Sequence, residues 1–313
     1  MQTRALGTSG IQVSVVGLGC NNFGILPLEA SAKVIDKALD AGITLFDTAD
    51  MYGGRGGSES QLGEILGARR KTIVLATKFG FPMDDEGKKA GASAAYVRAA
   101  CDASLKRLKT DWIDLYQLHT PDPKTPIAET LGALNDLVKD GKVRAIGSSN
   151  MPADQLAAAH AASRQNGLAP FVTAQDEYSL LERGVETALV PALQRDGMTL
   201  LPYFPLASGL LSGKYKKGED IPAGTRYSVM TRFGERYMTQ ENWRIVGELT
   251  AFAQAKGHTI LDLAFAWLLA HPWLSSVIAG ATKPEQVAQN VKAASWVLNA
   301  DEVAEVDRIS AKG

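Results

Sequence analysis

The stretch Trp112-Ile-Asp-Leu-Tyr-Gln-Leu-His119, with Thr125-Pro126 after it and Val143-Arg-Ala-Ile-Gly-Ser148 beyond, decides the fold. A short β-rich apolar run leads into a helix start signal at Thr125-Pro126. Ile127, Leu131, Leu134 and Leu137 then recur at helical spacing before the next apolar run begins. That is a strand, a crossover helix and a second strand parallel to the first. Working outward, the same alternation covers nearly the whole chain. Strands are expected at Val15 to Leu18, Thr44 to Asp47, Thr72 to Lys78, Trp112 to His119, Val143 to Ser148, Phe171 to Gln175, Met198 to Tyr203 and Ser276 to Ile278. Eight such units suit an α/β chain folded as a single (β/α)8 TIM barrel of 1–313, a length one such domain commonly occupies.

Helix starts are read from Ser58 with Gln61 and from Thr282-Lys-Pro-Glu285, both as capping boxes. Val97, Cys101, Leu105 and Leu108 form another helical stripe, which makes Cys101 a small core hydrophobe rather than a reactive thiol. Ahead of the first barrel strand, Arg4-Ala5-Leu6 and Gln12-Val13 flank Gly7-Thr8-Ser9-Gly10 as a β-hairpin suited to plug the barrel's bottom. After the seventh strand comes a long loop, Leu206 to Gln240, rich in Gly, Lys and Arg and of the length usually reserved for lids.

Composition narrows the function. The chain has 313 residues, 45% hydrophobic and 21% charged, with 33 Lys plus Arg against 34 Asp plus Glu, a formal net charge of −1. This removes the electrostatic argument for nucleic acid or an anionic membrane as a partner. The most apolar stretch, Leu263 to Ala270, is bounded by Asp262 and His271-Pro272, far short of a bilayer span. The polar N-terminus has no signal-peptide character, so a cytoplasmic location is expected. Cys20 and Cys101 make no disulfide framework, and with four histidines they show no zinc spacing, so no metal is expected.

In a (β/α)8 barrel the chemistry collects where the strands end. The second run ends on Asp47, with Tyr52 in the loop that follows. The third ends on Lys78, the fourth on His119, the fifth on Ser149-Asn150, and the sixth and seventh on Gln175 and Tyr203. Asp47, Tyr52, Lys78 and His119 therefore meet on one side of the mouth. An ammonium beside a phenol is expected to lower the phenol's pKa, and Asp47 to hold Lys78 charged, making Tyr52 a general acid.

These residues lie in strings that resemble the aldo-keto reductase superfamily from about Val15 to Asn290. The strings are GLG at 17–19, FDTADMYG at 46–53, GGSESQLGE at 56–64, TKFG at 77–80, DLYQLHTPD at 114–122, IGSSN at 146–150 and LPYFPLASGLLSGKY at 201–215. The resemblance implies carbonyl reduction, or the reverse alcohol oxidation, by hydride transfer with a nicotinamide cofactor. In it Tyr52 is the proton donor, Lys78 and Asp47 tune it, and His119 orients the carbonyl.

For the cofactor, no Rossmann fingerprint, Tyr-x-x-x-Lys pair or P-loop is present. The resemblance instead assigns Ser149, Asn150 and Gln175 to the nicotinamide carboxamide and Tyr203 to stacking on the ring. Leu206, Ser208, Gly209 and Leu210 fall at the pyrophosphate loop, with Gly19, Cys20, Asn21 and Asp47 also at cofactor positions. The segment GATKPEQVAQN at 280–290 matches the surroundings of an adenosine 2′-phosphate, through Gly280, Thr282, Lys283, Gln286, Gln289 and Asn290. Thr282 is expected to open a helix whose free amides hold an anion. The segment departs from a form of the family that carries Lys where Gly280 stands and Arg where Gln286 stands, leaving Lys283 as the cation. NADP(H) is the expected cofactor, with NAD(H) possible.

The pocket wall is expected to include Phe23, Tyr52, Phe79 and His119, with Tyr227, Phe233 and Tyr237 as lid aromatics. The expected partner is a small carbonyl or alcohol substrate, and the oligomeric state is not legible. A different class of function is a cofactor-binding, redox-sensing regulatory subunit of the channel β type with little turnover. A barrel aldolase using Lys78 as a Schiff-base nucleophile is a third.

Overall fold

The computed structural model describes residues 1–312. Among the described residues there are ten strands: β1 (Thr3–Ala5), β2 (Gln12–Ser14), β3 (Val16–Gly19), β4 (Leu45–Asp47), β5 (Val74–Phe79), β6 (Ile113–Leu118), β7 (Val143–Ser149), β8 (Phe171–Glu177), β9 (Thr199–Tyr203) and β10 (Val277–Gly280). The last eight form one parallel sheet in the order β10-β3-β4-β5-β6-β7-β8-β9. The ring closes where the Leu200 amide donates to the Trp273 carbonyl at 2.9 Å and the Ser275 amide to the Leu200 carbonyl at 3.1 Å. This is a (β/α)8 barrel, and each observed strand starts or ends within two residues of its expected bounds.

β1 and β2 pair antiparallel through Arg4↔Val13, the expected hairpin. Its Leu6, Ile11 and Val13 share a buried cluster with Leu45, Val74, Ala76, Leu115, Ala145, Val172, Leu201 and Ile278, contributed by seven barrel strands. The hairpin therefore seals the barrel interior from below, each fully buried aliphatic adding roughly 1.5–3 kcal/mol. Gly7 makes the seal possible. Its φ is +49°, and a Cβ there would lie 2.2 Å from the Val172 carbonyl oxygen.

The helices bury the faces their spacing specifies. Ala94–Leu108 turns Val97, Cys101 and Leu108 inward from a Ser93 cap, and Ile127–Lys139 buries Leu131, Leu134 and Leu137. Ile260–Ala270 is apolar nearly all round and starts from a Thr259/Asp262 capping box. Among the described residues no helix is long and apolar enough to cross a membrane.

Three start signals are built differently from expectation. Ser58 lies inside helix Gly57–Leu66, its hydroxyl donating to the Cys20 carbonyl, while Gln61 ties Gly24, Ser31 and Leu26 together. Asp122 rather than an amide of the helix takes the Thr125 hydroxyl. The last box is closed by Gln286, not Glu285: its carbonyl oxygen accepts from the amides of Thr282 at 2.7 Å and Lys283 at 3.2 Å. Those amides are thus engaged within the chain, and the helix itself begins at Pro284.

The long segment after β9 folds into a turn, Ala207–Ser212, and two short helices, Arg226–Val229 and Thr231–Tyr237. Tyr227 and Tyr237 are buried within it. Tyr227 stacks on Tyr215 at 4.4 Å and donates to the Ala207 carbonyl at 2.7 Å, while Tyr237 hydrogen-bonds Glu177. Tyr237 anchors the segment to β8 of the barrel, and Tyr227 ties the segment to its own first turn. Phe233 is half-buried, edge-on to Phe204.

Candidate active site

Side chains alternate along a strand, so Leu45 on the inner face of β4 puts Asp47 on that face too, and Val74 and Ala76 do the same for Lys78. Both end up buried at the top of the barrel, Lys78 0% and Asp47 4% exposed. Lys78 Nζ donates to Asp47 Oδ2 at 2.7 Å and to the Thr48 carbonyl at 2.8 Å, and stands 3.4 Å from Tyr52 Oη. Tyr52 is presented by a turn whose Gly53 (φ +68°) leaves no room for a Cβ, which would lie 2.4 Å from the Phe23 carbonyl oxygen. His119, 7% exposed, faces Tyr52 edge-on with ring centroids 5.7 Å apart.

Burial sets the protonation of this cluster. Desolvation would lower the Lys78 pKa, but Asp47 and then Tyr52 more than offset it, so the ammonium is held charged above its usual range. Burial pushes Tyr52 up from its ordinary 10, with Lys78 acting against it. The expectation of a lowered phenol is thereby corrected: desolvation outweighs the neighbouring cation, and Tyr52 is protonated at neutral pH. Burial, and then Lys78, push His119 well below 6.5, so its ring is neutral. Its Nδ1 is buried with no hydrogen-bond partner.

Asp47 Oδ1 accepts from Gln175 Nε2 at 2.9 Å and from Gln117 Nε2 at 3.3 Å. Gln175 thus uses an amide hydrogen on Asp47. Asn150, at a φ of +55°, donates to the His119 carbonyl and to Ser149 Oγ, both at 3.0 Å, and accepts from Tyr203 Oη at 2.9 Å. The Asn150 backbone amide also donates to the Gln175 carbonyl at 3.2 Å, so one polar web joins the ends of β4 to β9.

Two expected wall residues stand elsewhere. Lys78 faces inward, so Phe79 faces outward, where it is fully buried and stacked on Tyr116 at 4.7 Å. Phe81, two positions on, meets His119 edge-on at 4.6 Å and takes that place at the mouth. Phe23 is fully enclosed in the core. Cys20 is buried as well, its thiol pushed up by burial and Asp47, its Sγ 3.5 Å from the Leu18 carbonyl.

Beside the turn after β9 lies a feature missed in the sequence. Phe204, Ala207 and Ser208 hold φ values of +50°, +45° and +54°, next to Gly209 at +111°. Strain of this kind persists only where the surroundings over-determine it. Leu206 is half-buried and Leu210 fully buried, while Ser208 Oγ is buried without a partner. Lys214 folds back over the turn, such that a Cβ on Gly209 would lie 2.8 Å from its Nζ. Desolvation and the charge of Arg226 lower the Lys214 pKa; desolvation lowers that of Arg226, which lies over the Phe204 ring at 5.4 Å. Among the described residues no carboxylate acts on either cation. The exposed Lys214 and the half-buried Arg226 repel each other beside an unpartnered hydroxyl, an arrangement that suits an anion.

Across the mouth, Gly19 pairs with Gly280, and a Cβ on Gly280 would lie 3.2 Å from Asn21 Oδ1. The rest of the second expected cofactor segment surrounds this point, with Thr282, Lys283 and Gln289 exposed, Gln286 half-buried and Asn290 buried. Among the described residues no group of three or more His, Cys, Asp or Glu is placed to hold a metal ion.

A barrel that gathers a phenol, an ammonium, a carboxylate and a neutral imidazole at one rim, near an anion-receptive turn, has the features of a redox barrel. The chain belongs to the aldo/keto reductase family, whose profile matches residues 15–311. It is 37% identical to the uncharacterized oxidoreductase YrpG of Bacillus subtilis (strain 168), over 96% of this chain and 93% of that protein. It is also 33% identical to the L-glyceraldehyde 3-phosphate reductases of Escherichia coli strains K12 and O157:H7, over 100% of this chain and 93% of each.

Proposed function

We propose that this chain, acting as one barrel domain in the cytoplasm, reduces small aldehydes or ketones to alcohols with NADP(H) and runs the reverse oxidation. The observation that carries this is the protonated Tyr52 held 3.4 Å from the buried Lys78 ammonium beside neutral His119. The bound nicotinamide supplies or accepts the hydride. Tyr52 Oη gives its proton to the carbonyl oxygen as negative charge develops there, and Lys78 stabilises the phenolate left behind. His119, being neutral, orients the carbonyl by a hydrogen bond, and Phe81 shields that side from water.

The residues fit the cofactor. Ser208, Lys214 and Arg226 suit a pyrophosphate, which would relieve the repulsion between the two cations. Tyr203 offers a flat face for the ring, and Asn150 and Gln175 an amide pair for the carboxamide, with Ser149 beside them. Gly19, Cys20 and Asn21, with Leu206, Gly209 and Leu210, line the intervening backbone. Lys283 favours a 2′-phosphate, near Gly280, Gln286, Gln289 and Asn290. The amides of Thr282 and Lys283 reach an anion only by giving up Gln286.

A panel of aldehydes, ketones and alcohols, including 4-nitrobenzaldehyde and L-glyceraldehyde 3-phosphate, run with NADPH/NADP and NADH/NAD, tests the reading. Turnover with NADPH favoured is expected. Saturable NADPH binding with negligible turnover across the panel would replace it with a sensor role.

A further inference from the structure

We propose that Gln117 is a positioning residue for proton transfer, gripping the Asp47 carboxylate that faces Lys78 so that its alignment does not depend on Gln175. This rests on the reading of Tyr52 as proton donor.

Asp47 gives Oδ2 to Lys78 and Oδ1 to two glutamine amides, Gln175 at 2.9 Å and Gln117 at 3.3 Å. The orientation of the Gln117 amide follows from chemistry: a carboxylate oxygen only accepts, so the NH2 must face it. The consequence is a Gln117 Oε1 that is buried without a partner. Leu115, two residues earlier on the same face of β6, is an aliphatic in the barrel interior. An aliphatic at 117 would avoid the unpaired carbonyl but surrender the grip on Asp47. The neighbouring strand makes room for the longer side chain. A Cβ on Gly147 would lie 3.2 Å from Gln117 Cγ and 2.4 Å from Thr173 Oγ1, so only glycine lets both polar side chains reach inward.

The two glutamines are not equivalent. Gln175 lies on β8, beside Asn150 and Tyr203 of the proposed nicotinamide site, and a carboxamide there competes for it. Gln117 lies on β6 between Lys78 and Gly147 in register, without that competition. When Gln175 turns toward a ligand, Gln117 remains the donor on Oδ1. Its N–H dipole also offsets part of the carboxylate's field at Tyr52, where Asp47 acts to make the phenol a weaker acid.

The test compares wild type, Gln117→Met and Gln117→Glu. Thermal unfolding checks the fold, NADPH fluorescence quenching gives Kd, and 4-nitrobenzaldehyde reduction across pH gives kcat and KM. Difference absorbance against Tyr52→Phe follows the Tyr52 titration. Gln117→Met is expected to keep Kd within about 2-fold and KM within about 3-fold, lose about tenfold in kcat, and titrate Tyr52 at higher pH. Gln117→Glu is expected to work at low pH, where its carboxyl donates to Asp47, and to fail as that proton is lost. Wild-type kcat with an unmoved Tyr52 titration in Gln117→Met overturns the proposal, as does a Gln117→Glu profile parallel to wild type. If Gln117→Met does not fold, the Gln117→Glu profile decides alone. If wild type itself turns over no carbonyl, the functional reading has failed, and the Tyr52 titration then decides only the grip of Gln117 on Asp47: a shift upholds that grip and none overturns it.

Discussion

Tyr52 Oη stands 3.4 Å from Lys78 Nζ, while Asp47 holds the same ammonium from the other side at 2.7 Å. An amine held charged in this way has no lone pair for attack on a carbonyl, which sets the site apart from a Schiff-base barrel. Borohydride added with an excess of aldehyde should leave Lys78 unmodified by mass spectrometry. A stoichiometric adduct on Lys78 would show that the amine is free.

Removing the phenol hydroxyl removes the loaded acid without touching the proposed cofactor contacts. Tyr52→Phe should lower kcat by about 10²- to 10⁴-fold and leave the NADPH Kd within about 2-fold. A kcat near wild type would assign the proton to another group.

The Asp47–Lys78 pair is buried, and buried pairs respond asymmetrically to substitution. Asp47→Asn leaves an ammonium in the barrel without its counter-charge, which costs about 3–5 kcal/mol, whereas replacing both partners often costs far less. In urea unfolding, Asp47→Asn/Lys78→Met should be more stable than Asp47→Asn alone, though inactive. A double variant no more stable than the single would mean that the polar web, rather than the charge pair, carries the energy.

The positions of Asp47, Lys78 and His119 were legible because a strand's period of two and the barrel rule that chemistry collects at strand ends leave little freedom. The same period carried signals that went unused. An inward Lys78 already turns Phe79 outward and Phe81 back in, and an inward His119 brings Gln117 with it. The direction of the Tyr52 shift was not legible, because the balance between a nearby cation and lost hydration depends on burial depth. Lys214 and Arg226 were also hidden. Cations in a glycine-rich connection are ordinarily solvated, and only the folded turn brings Lys214 back beside a half-buried Arg226 with no acid acting on either. The departures at Ser58 and Gln286 have separate causes. For Ser58 a tertiary partner, the Cys20 carbonyl, claims the hydroxyl; for Gln286 the competitor is local, its carbonyl oxygen closing on the Thr282 amide four residues back in place of Glu285.

Lys214 and Arg226 yield a prediction of opposite signs in two measurements. Each cation carries desolvation without a carboxylate to offset it, so the ligand-free protein gains nothing electrostatic from holding both. Lys214→Met, which keeps the apolar stem, should leave the ligand-free melting temperature unchanged or higher. It should weaken NADPH binding by about tenfold or more, the scale of one charge-assisted phosphate contact. A falling melting temperature with unchanged Kd would make Lys214 a structural cation.

Asp50 lies two residues before Tyr52 with both carboxylate oxygens buried and without a hydrogen-bond partner. Burial, then repulsion from Glu59, push its pKa up to about 7, while Arg107, the Met51 amide and Lys78 act the other way. The folded protein therefore binds a proton that the unfolded chain, at an ordinary 3.8, releases. Folded proton uptake means stability is greatest below about 3.8 and declines as pH rises through about 7, with no further loss from this group above it. Asp176, also raised to about 7 by burial, adds a slope of the same sign. Asp50→Asn should flatten the decline in unfolding free energy between pH 5 and 8, and Asp50→Asn/Asp176→Asn should flatten it further. Because the readout is a slope, an offset from the new amide does not obscure it. A single variant whose pH slope matches wild type would show that Asp50 is already ionised throughout that range.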